Sequence, residues 1–147
     1  MKTKAEIAVD IFLNGFNCSQ AVFSSHSEEY GLSETVAKKI ACGFGAGMGY
    51  NCEVCGAVSG ALMVIGLKYG KYMELDNPAK EKTYKLVKEF TDNFKKEYGT
   101  INCRQLIKYD LGIEEQLLKA RELGVFKEIC PAFVKKSVEI LEEILKK

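Results

Sequence analysis

Apolar side chains recur at intervals of three and four residues along most of this chain, which is the spacing of one face of an α-helix. Asparagine, serine and glycine residues interrupt the pattern where helices are expected to begin and end. Together these signals predict helices over residues 3–14, 18–30, 34–42, 53–69, 77–98, 103–109, 113–123 and 127–145. No segment alternates apolar and polar positions as a β-strand would. The chain is therefore expected to be all-α, a compact bundle of about seven or eight helices.

The bundle is expected to form around a central apolar helix within residues 41–70. The run from Val54 to Leu67 contains one polar residue, Ser59; it is too short to cross a bilayer and too long for a typical strand. Gly56 and Gly60 lie four apart in this run, so another helix backbone could approach this side closely. That neighbour could be another helix of the same chain or a second copy in a homodimer.

The length and charge of the chain limit what it can be. Its 147 residues are enough for one domain, and we expect residues 1–147 to form a single one. The formal net charge is +1, so the chain lacks the basic face that nucleic-acid binding requires. Glu6 and Asp10 lie where a signal peptide would have its apolar core. These features predict a cytoplasmic protein that neither inserts into a membrane nor binds nucleic acid.

Six cysteines and a single histidine carry the most distinctive chemistry of the chain. In a reducing compartment these cysteines are not expected to form structural disulfides. They can instead be buried thiols, ligands of a metal or cluster, or redox-active thiols. The one histidine, His26, excludes sites built from several imidazoles, and its position among serines in a helix predicts a surface residue.

Four cysteines lie where helices are predicted to begin, namely Cys18, Cys55, Cys103 and Cys130. Asn17 and Asn102 precede two of them as helix caps, within a repeated Asn-Cys-x-Gln sequence. The free N–H groups and positive dipole end of a helix lower the pKa of a thiol, which suits both redox chemistry and metal ligation. The alternative is that these cysteines are small apolar residues of the core.

Cys52 and Cys55 also form a Cys-x-x-Cys sequence, which is typical of a dithiol redox pair or of half a metal site. A thioredoxin site would need a preceding strand, and a helical peroxidase of the alkylhydroperoxidase D type has histidine where this chain has Ser59. A zinc ribbon would need a second Cys-x-x-Cys, whereas Cys103 and Cys130 are 27 positions apart. A cluster or a set of reactive thiols inside a helical bundle fits this spacing better.

Glycines alternate along the segment from Gly43 to Gly49 that precedes the central helix. Their order matches neither Gly-x-Gly-x-x-Gly nor a P-loop. We interpret the segment as a tight turn that lets backbone N–H groups approach a sulfur site, while the neighbouring Tyr50 is expected to serve in packing. The candidate positions for this close approach are Gly43, Gly45 and Gly47 in the turn and Gly56 at the start of the helix.

With these motifs in place, almost the whole chain resembles a bacterial and archaeal family of redox-active proteins. That family (C_GCAxxG_C_C) has a Cys-Gly-Ala-x-x-Gly motif and four cysteines. Residues 55–60 look like the motif, and the segments around Cys18, Cys103 and Cys130 look like the other three cysteine segments. Cys42 and Cys52 are not part of the four-cysteine pattern, which puts a catalytic Cys-x-x-Cys in doubt.

The resemblance implies a small all-helical protein with a redox role, an unidentified redox partner and an association with transporters. A similar four-cysteine segment appears in the split-Soret cytochromes c, where the resemblance implies an iron–sulfur centre. This chain has no Cys-x-x-Cys-His, so no covalent haem is expected.

The first hypothesis is a redox protein in which Cys18, Cys55, Cys103 and Cys130 converge on one site. They would bind an iron–sulfur cluster, [2Fe–2S] in kind, for electron transfer or sensing, with Cys55 as the central thiolate. Zinc is the alternative metal. A second hypothesis is a metal-free thiol/disulfide oxidoreductase that uses Cys55 with Cys52 or with a distant cysteine. A third is a non-enzymatic helical oligomeric or regulatory protein whose cysteines fill the core.

Overall fold

A computed structural model describes all 147 residues and contains eight right-handed α-helices and no β-strand, which confirms the all-α prediction. The helices are α1 (Lys4–Leu13), α2 (Cys18–Ser27), α3 (Glu34–Ala41), α4 (Gly56–Tyr69), α5 (Asn77–Tyr98), α6 (Cys103–Ile107), α7 (Glu114–Glu122) and α8 (Val125–Leu145). Single 3-10 turns follow α2 and α3, at Glu28–Tyr30 and Cys42–Phe44. None of the helices combines the length and apolar character needed to cross a membrane.

Helices α2 and α4 pack against each other at the centre of the bundle. The small residues of α4 allow this close approach, because a β-carbon at Gly60 would lie 2.8 Å from the Ser19 carbonyl oxygen of α2. The buried hydroxyl of Ser137 on α8 donates to the Ala57 carbonyl of α4 at 2.6 Å. The stripe of small residues predicted from the sequence is thus covered by the chain's own helix and is not open to a second copy.

Side-chain caps set the starts of the two Asn-Cys helices. Asn17 caps α2 with a full capping box, in which its side chain accepts from the Gln20 N–H and Gln20 accepts from the Asn17 N–H. Asn102 accepts from the Gln105 N–H and caps α6. The two predicted caps are therefore present, and they place a cysteine at the first position of each helix.

Helix α4 begins at Gly56 and not at residue 53 as the sequence suggested. The residues before it are extended because they pair with the segment that leads into α6. The Cys55 N–H donates to the Ile101 carbonyl at 2.8 Å, the Cys103 N–H donates to the Glu53 carbonyl at 2.6 Å, and an isolated antiparallel bridge joins Val54 to Asn102. This pairing brings the segments of Cys55 and Cys103 side by side.

The start of α8 differs from the one expected from the sequence. Helix α8 begins at Val125 and runs through Pro131, so Cys130 lies inside a helix and not at its N-terminus. The apolar face from Val125 to Leu145 stays buried on both sides of Pro131, and this packing holds the helix together across a residue that usually interrupts one. Helix α5 is capped by Asp76, whose carboxylate accepts from the Ala79 N–H.

His26 is buried, with 1% of its surface exposed, so the prediction of a surface residue was wrong. Its Nδ1 lies 2.9 Å from the Ser25 hydroxyl and its Nε2 lies 3.2 Å from a Glu142 carboxylate oxygen of α8. A polar sequence normally indicates a solvated face, but α2 is surrounded by other helices. Its histidine and three of its four serines find hydrogen-bond partners inside the bundle, and only the Ser24 hydroxyl has none.

Candidate functional site

The four predicted cysteines line one cavity of about 350 Å³, and the other two cysteines of the chain do not. Of the 18 residues that line this four-cysteine cavity, 13 are hydrophobic. Cys18 comes from the start of α2, Cys55 from the residue before α4, Cys103 from the start of α6 and Cys130 from the second turn of α8. Four segments distant in sequence therefore present their thiols to the same cavity.

Cys18 has the environment of a stabilised thiolate. The Cys55 S–H donates to its sulfur, and the backbone N–H groups of Ala46, Ser19 and Cys18 itself add to this effect. Because these donors favour the charged form more than burial opposes it, the pKa of Cys18 falls to about 7. The side chain is only partly buried, so a molecule in the cavity can reach it.

Cys55 has the opposite character, although it also lies at a helix N-terminus. Its role as hydrogen-bond donor to Cys18, together with burial and the negative charge of the Cys18 thiolate, raises its pKa well above the ordinary value. The N–H groups of Ala57 and Val58 act against this shift and do not overcome it. The sequence favoured Cys55 as the central thiolate; in the structure the pair is arranged so that Cys18 carries the charge and Cys55 keeps the proton.

Cys103 and Cys130 face the same cavity as protonated thiols. Burial is the main cause in both cases: it raises the pKa of Cys103 strongly and that of Cys130 to about 12. Cys52 lies behind Cys103, outside the cavity, and its S–H donates to the Tyr109 carbonyl at 3.2 Å. The two cysteines of the Cys-x-x-Cys sequence thus have different places: Cys55 lines the cavity and Cys52 is buried behind it. The sixth cysteine, Cys42, is exposed.

The glycine-rich segment forms a left-handed turn over Gly45–Gly49 that packs on the thiols. Ala46, Met48 and Tyr50 all have positive φ, between 55° and 72°, which costs on the order of 1–2 kcal/mol for each residue with a β-carbon. Gly47 is required here, because a β-carbon would lie 2.7 Å from the Cys103 β-carbon. The turn delivers the Ala46 N–H to Cys18.

The other candidate glycines differ in how near they lie to the sulfurs. Gly56 touches the Cys18 sulfur, and a β-carbon at Gly45 would collide with the Asn17 side chain. Gly43 has open space around it.

The four cysteines of the cavity are of the right kind and number to bind a metal centre, because four cysteine thiolates are the usual ligands of a [2Fe–2S] cluster and also bind zinc. The histidine, cysteine, aspartate and glutamate side chains form no group of three or more with the spacing of ligands to one metal ion. Among the cavity thiols, Cys18 and Cys55 are the pair whose interaction shifts both of their pKa values, that of Cys18 downwards and that of Cys55 upwards.

Two cations at the edge of the cavity were not identified from the sequence. Arg121 of α7 donates to the Tyr50 hydroxyl at 2.8 Å and lies over its ring at 5.6 Å, and Lys127 of α8 joins it in the lining. Charged residues on exposed helix faces are common, so nothing in the sequence separates these two from the other lysines and arginines. Their placement depends on how α7 and α8 pack around the left-handed turn.

The fold and the site together define an all-α protein with four thiols gathered in one apolar cavity. Residues 16–144 match a protein family described as "Putative redox-active protein (C_GCAxxG_C_C)", and this range includes all four cavity cysteines. The chain belongs to this redox-active, cysteine-rich family. No curated protein and no solved structure matches it.

Proposed function

We propose that this protein is a thiol/disulfide oxidoreductase in which Cys18 is the attacking thiolate and Cys55 the resolving thiol. The observation that carries the proposal is the placement of both thiols in the lining of one cavity, with the Cys18 sulfur packed against Gly56, the residue that follows Cys55. A thiol with a pKa near the ambient pH combines a large thiolate fraction with good nucleophilicity. The pKa of Cys18, about 7, meets this condition, whereas Cys103 and Cys130 remain protonated.

In the first step the Cys18 thiolate attacks one sulfur of a disulfide in the cavity. A new bond forms between Cys18 and that sulfur, the substrate S–S bond breaks, and the other half leaves as a thiolate. The Ala46 N–H and the helix N-terminus hold the attacking sulfur in place without needing a charged side chain.

In the second step Cys55 attacks Cys18. Once Cys18 is part of a mixed disulfide it has no charge, so two of the causes that raise the pKa of Cys55 disappear: the hydrogen bond to the thiolate and the repulsion by its charge. The N–H groups of Ala57 and Val58 then favour loss of the Cys55 proton. The Cys55 sulfur bonds to Cys18, the second substrate half leaves as a thiol, and two electrons have passed from the protein to the substrate.

This proposal is tested by treating the reduced chain with oxidised glutathione and mapping disulfides by mass spectrometry. We expect a Cys18–Cys55 disulfide in the wild type and a stable mixed disulfide on Cys18 in Cys55→Ser. The Cys42→Ser variant, which removes the exposed cysteine, should behave like the wild type. Equal modification of all thiols in Cys55→Ser, with no preference for Cys18, would contradict the proposal.

A second candidate function is electron transfer or sensing through an iron–sulfur cluster, and it is favoured by the presence of four thiols on one cavity wall. Cys18, Cys55, Cys103 and Cys130 would hold the cluster, most simply [2Fe–2S]. When bound, such a cluster supplies one-electron redox chemistry. The Ala46 N–H would stabilise the Cys18 thiolate as a ligand, and the apolar lining would limit access of water.

This second candidate is tested by measuring iron, zinc, acid-labile sulfide and the visible spectrum of protein purified without oxygen. Iron and sulfide in matching amounts, lost in Cys55→Ser and kept in Cys42→Ser, would establish the cluster. Zinc alone would indicate a structural or thiol-activating ion. Iron kept at the wild-type amount in Cys55→Ser would rule out the ligand assignment.

Either chemistry requires reduced thiols, so we also propose a reducing compartment, the cytoplasm, as the place of action. A redox partner is needed to regenerate the reduced site. An association with a transporter system and a homodimer remain predictions from the sequence.

A further inference from the structure

The lining of the four-cysteine cavity contains basic side chains but no acidic ones. Arg121 and Lys127 are its only cationic residues, and no aspartate or glutamate faces the space. Neither cation forms an ion pair with a carboxylate of the chain. A net charge of +1 for the whole chain means that this local excess of positive charge is a property of the cavity and not of the protein surface in general.

Arg121 is held in a fixed orientation by Tyr50. The guanidinium donates to the Tyr50 hydroxyl at 2.8 Å and lies 5.6 Å from the centre of its ring. Tyr50 has φ of 68°, an unfavourable conformation for tyrosine that ends the left-handed turn. The strained turn therefore does two things at the cavity: it brings the Ala46 N–H to Cys18, and it places the aromatic support for Arg121.

The rest of the wall is apolar and aromatic. Phe12 and Phe16 contribute from the α1 side, and Phe126 and Phe133 from α8. A cavity of about 350 Å³ is within the size range of small-molecule sites. Such a space takes a compact molecule with an apolar body, and the two unpaired cations at its edge favour one that carries an anionic group.

We propose that the cavity binds a small organic disulfide with an apolar body and an anionic group, such as a carboxylate, and that Arg121 and Lys127 recognise that group. The inference rests on the proposed function, since Cys18 is the thiol that attacks the bound disulfide. Its sulfur forms a bond to one sulfur of the ligand, and the other half of the ligand leaves as a thiolate that carries the broken bond's electron pair. The disulfide is thus the oxidant.

The test compares two aromatic disulfides that differ in charge. Dithiobis(nitrobenzoate) carries carboxylates and dithiodipyridine is neutral, and both release a coloured thiolate or thione as they react. The reduced, metal-free chain with Cys42→Ser is mixed with each probe, the rate is followed by absorbance, and the labelled cysteine is identified by mass spectrometry.

Arg121→Gln and Lys127→Gln are the test variants. Lys119→Gln of α7 and Lys135→Gln of α8 are matched controls, because they remove the same charge from the same helices outside the cavity.

We expect each test variant to slow labelling of Cys18 by the anionic probe about fivefold, and the control variants to leave it unchanged. The rate with the neutral probe should stay close to that of the parent protein. High salt should slow the anionic probe in the parent, and it should slow it less in Arg121→Gln, which keeps only Lys127.

Equal slowing of both probes would overturn the inference, because the cations would then act on the thiol and not on the ligand. No effect on either probe would overturn it as well. Failure of the neutral probe to label Cys18 in preference to the other thiols would instead contradict the proposed role of Cys18, so the two failures can be told apart.

Discussion

Gly56 lies directly against the sulfur of Cys18, so closely that a β-carbon on Gly56 would collide with it. The first residue of α4 thus fixes the position of the first residue of α2. Glycine is needed at this place for its lack of a side chain and not for its backbone conformation, since Gly56 is not among the residues with positive φ.

The first prediction follows from this contact. Gly56→Ala should displace the Cys18 thiol, lower stability by about 1–3 kcal/mol through overpacking, and slow the reaction of Cys18 with disulfides. Gly66→Ala is the matched control, because Gly66 belongs to the same helix and has open space around it. It should leave Cys18 reactivity unchanged and raise stability by about 0.5–1 kcal/mol. Chemical denaturation and the rate of Cys18 labelling measure both effects; equal outcomes for the two variants would contradict the packing argument.

The second prediction concerns the left-handed turn. Gly47 and Gly124 have nearly the same φ, 65° and 69°, but only Gly47 packs against Cys103. Alanine at either position should cost about 1–2 kcal/mol for the backbone conformation. Gly47→Ala should cost a further ~1–3 kcal/mol and increase the accessibility of Cys103 to alkylation, because the added methyl group forces the two segments apart. If Gly124→Ala destabilises the protein as much as Gly47→Ala, the contact with Cys103 contributes little.

The third prediction is the pH dependence of the thiols. Alkylation of Cys18 should rise with pH through a midpoint of about 7, since the thiolate is the reacting form. In Cys55→Ala the midpoint should move to higher pH, because the Cys55 S–H is the largest cause of the lowered pKa. Cys130 should stay unreactive until strongly alkaline pH, in line with its pKa of about 12. Rates are measured by mass spectrometry with iodoacetamide, and an unchanged midpoint in Cys55→Ala would contradict the assignment.

The fourth prediction concerns His26. Burial lowers its pKa below 6.5 in the folded protein, and the nearby Glu142 only partly opposes this. The unfolded chain therefore binds a proton at higher pH than the folded one, so stability is fully present above about pH 6.5 and falls as the pH drops towards the folded pKa.

The slope below pH 6.5 should reach at most about 1.4 kcal/mol per pH unit, the limit for one proton. Urea denaturation across this range measures it. His26→Gln should flatten the slope, because the chain has no other histidine. A slope that persists in this variant would assign the effect to carboxylates.

The sequence alone determined the fold class and most helix boundaries, because these depend on local signals. Asn17 and Asn102 cap helices by hydrogen bonds within three residues, and the apolar period of α4 is visible along one short run. It also identified the four cysteines, since they lie where helices are predicted to begin and two of them share the repeated Asn-Cys-x-Gln sequence.

The tertiary structure decided which chemistry each cysteine has. Cys18, Cys55 and Cys103 all lie at helix N-termini, yet the pKa of the first is lowered and those of the other two are raised. The pKa values differ because of burial and of neighbours far away in sequence, and a position at a helix N-terminus reveals neither. The same holds for His26, whose polar surroundings in the sequence are buried by other helices. Arg121 and Tyr50, distant in sequence, meet at the cavity only because the left-handed turn and α7 pack together there. Local periodicity fixes helices, whereas pKa values and ligand contacts depend on which groups the folded chain brings together.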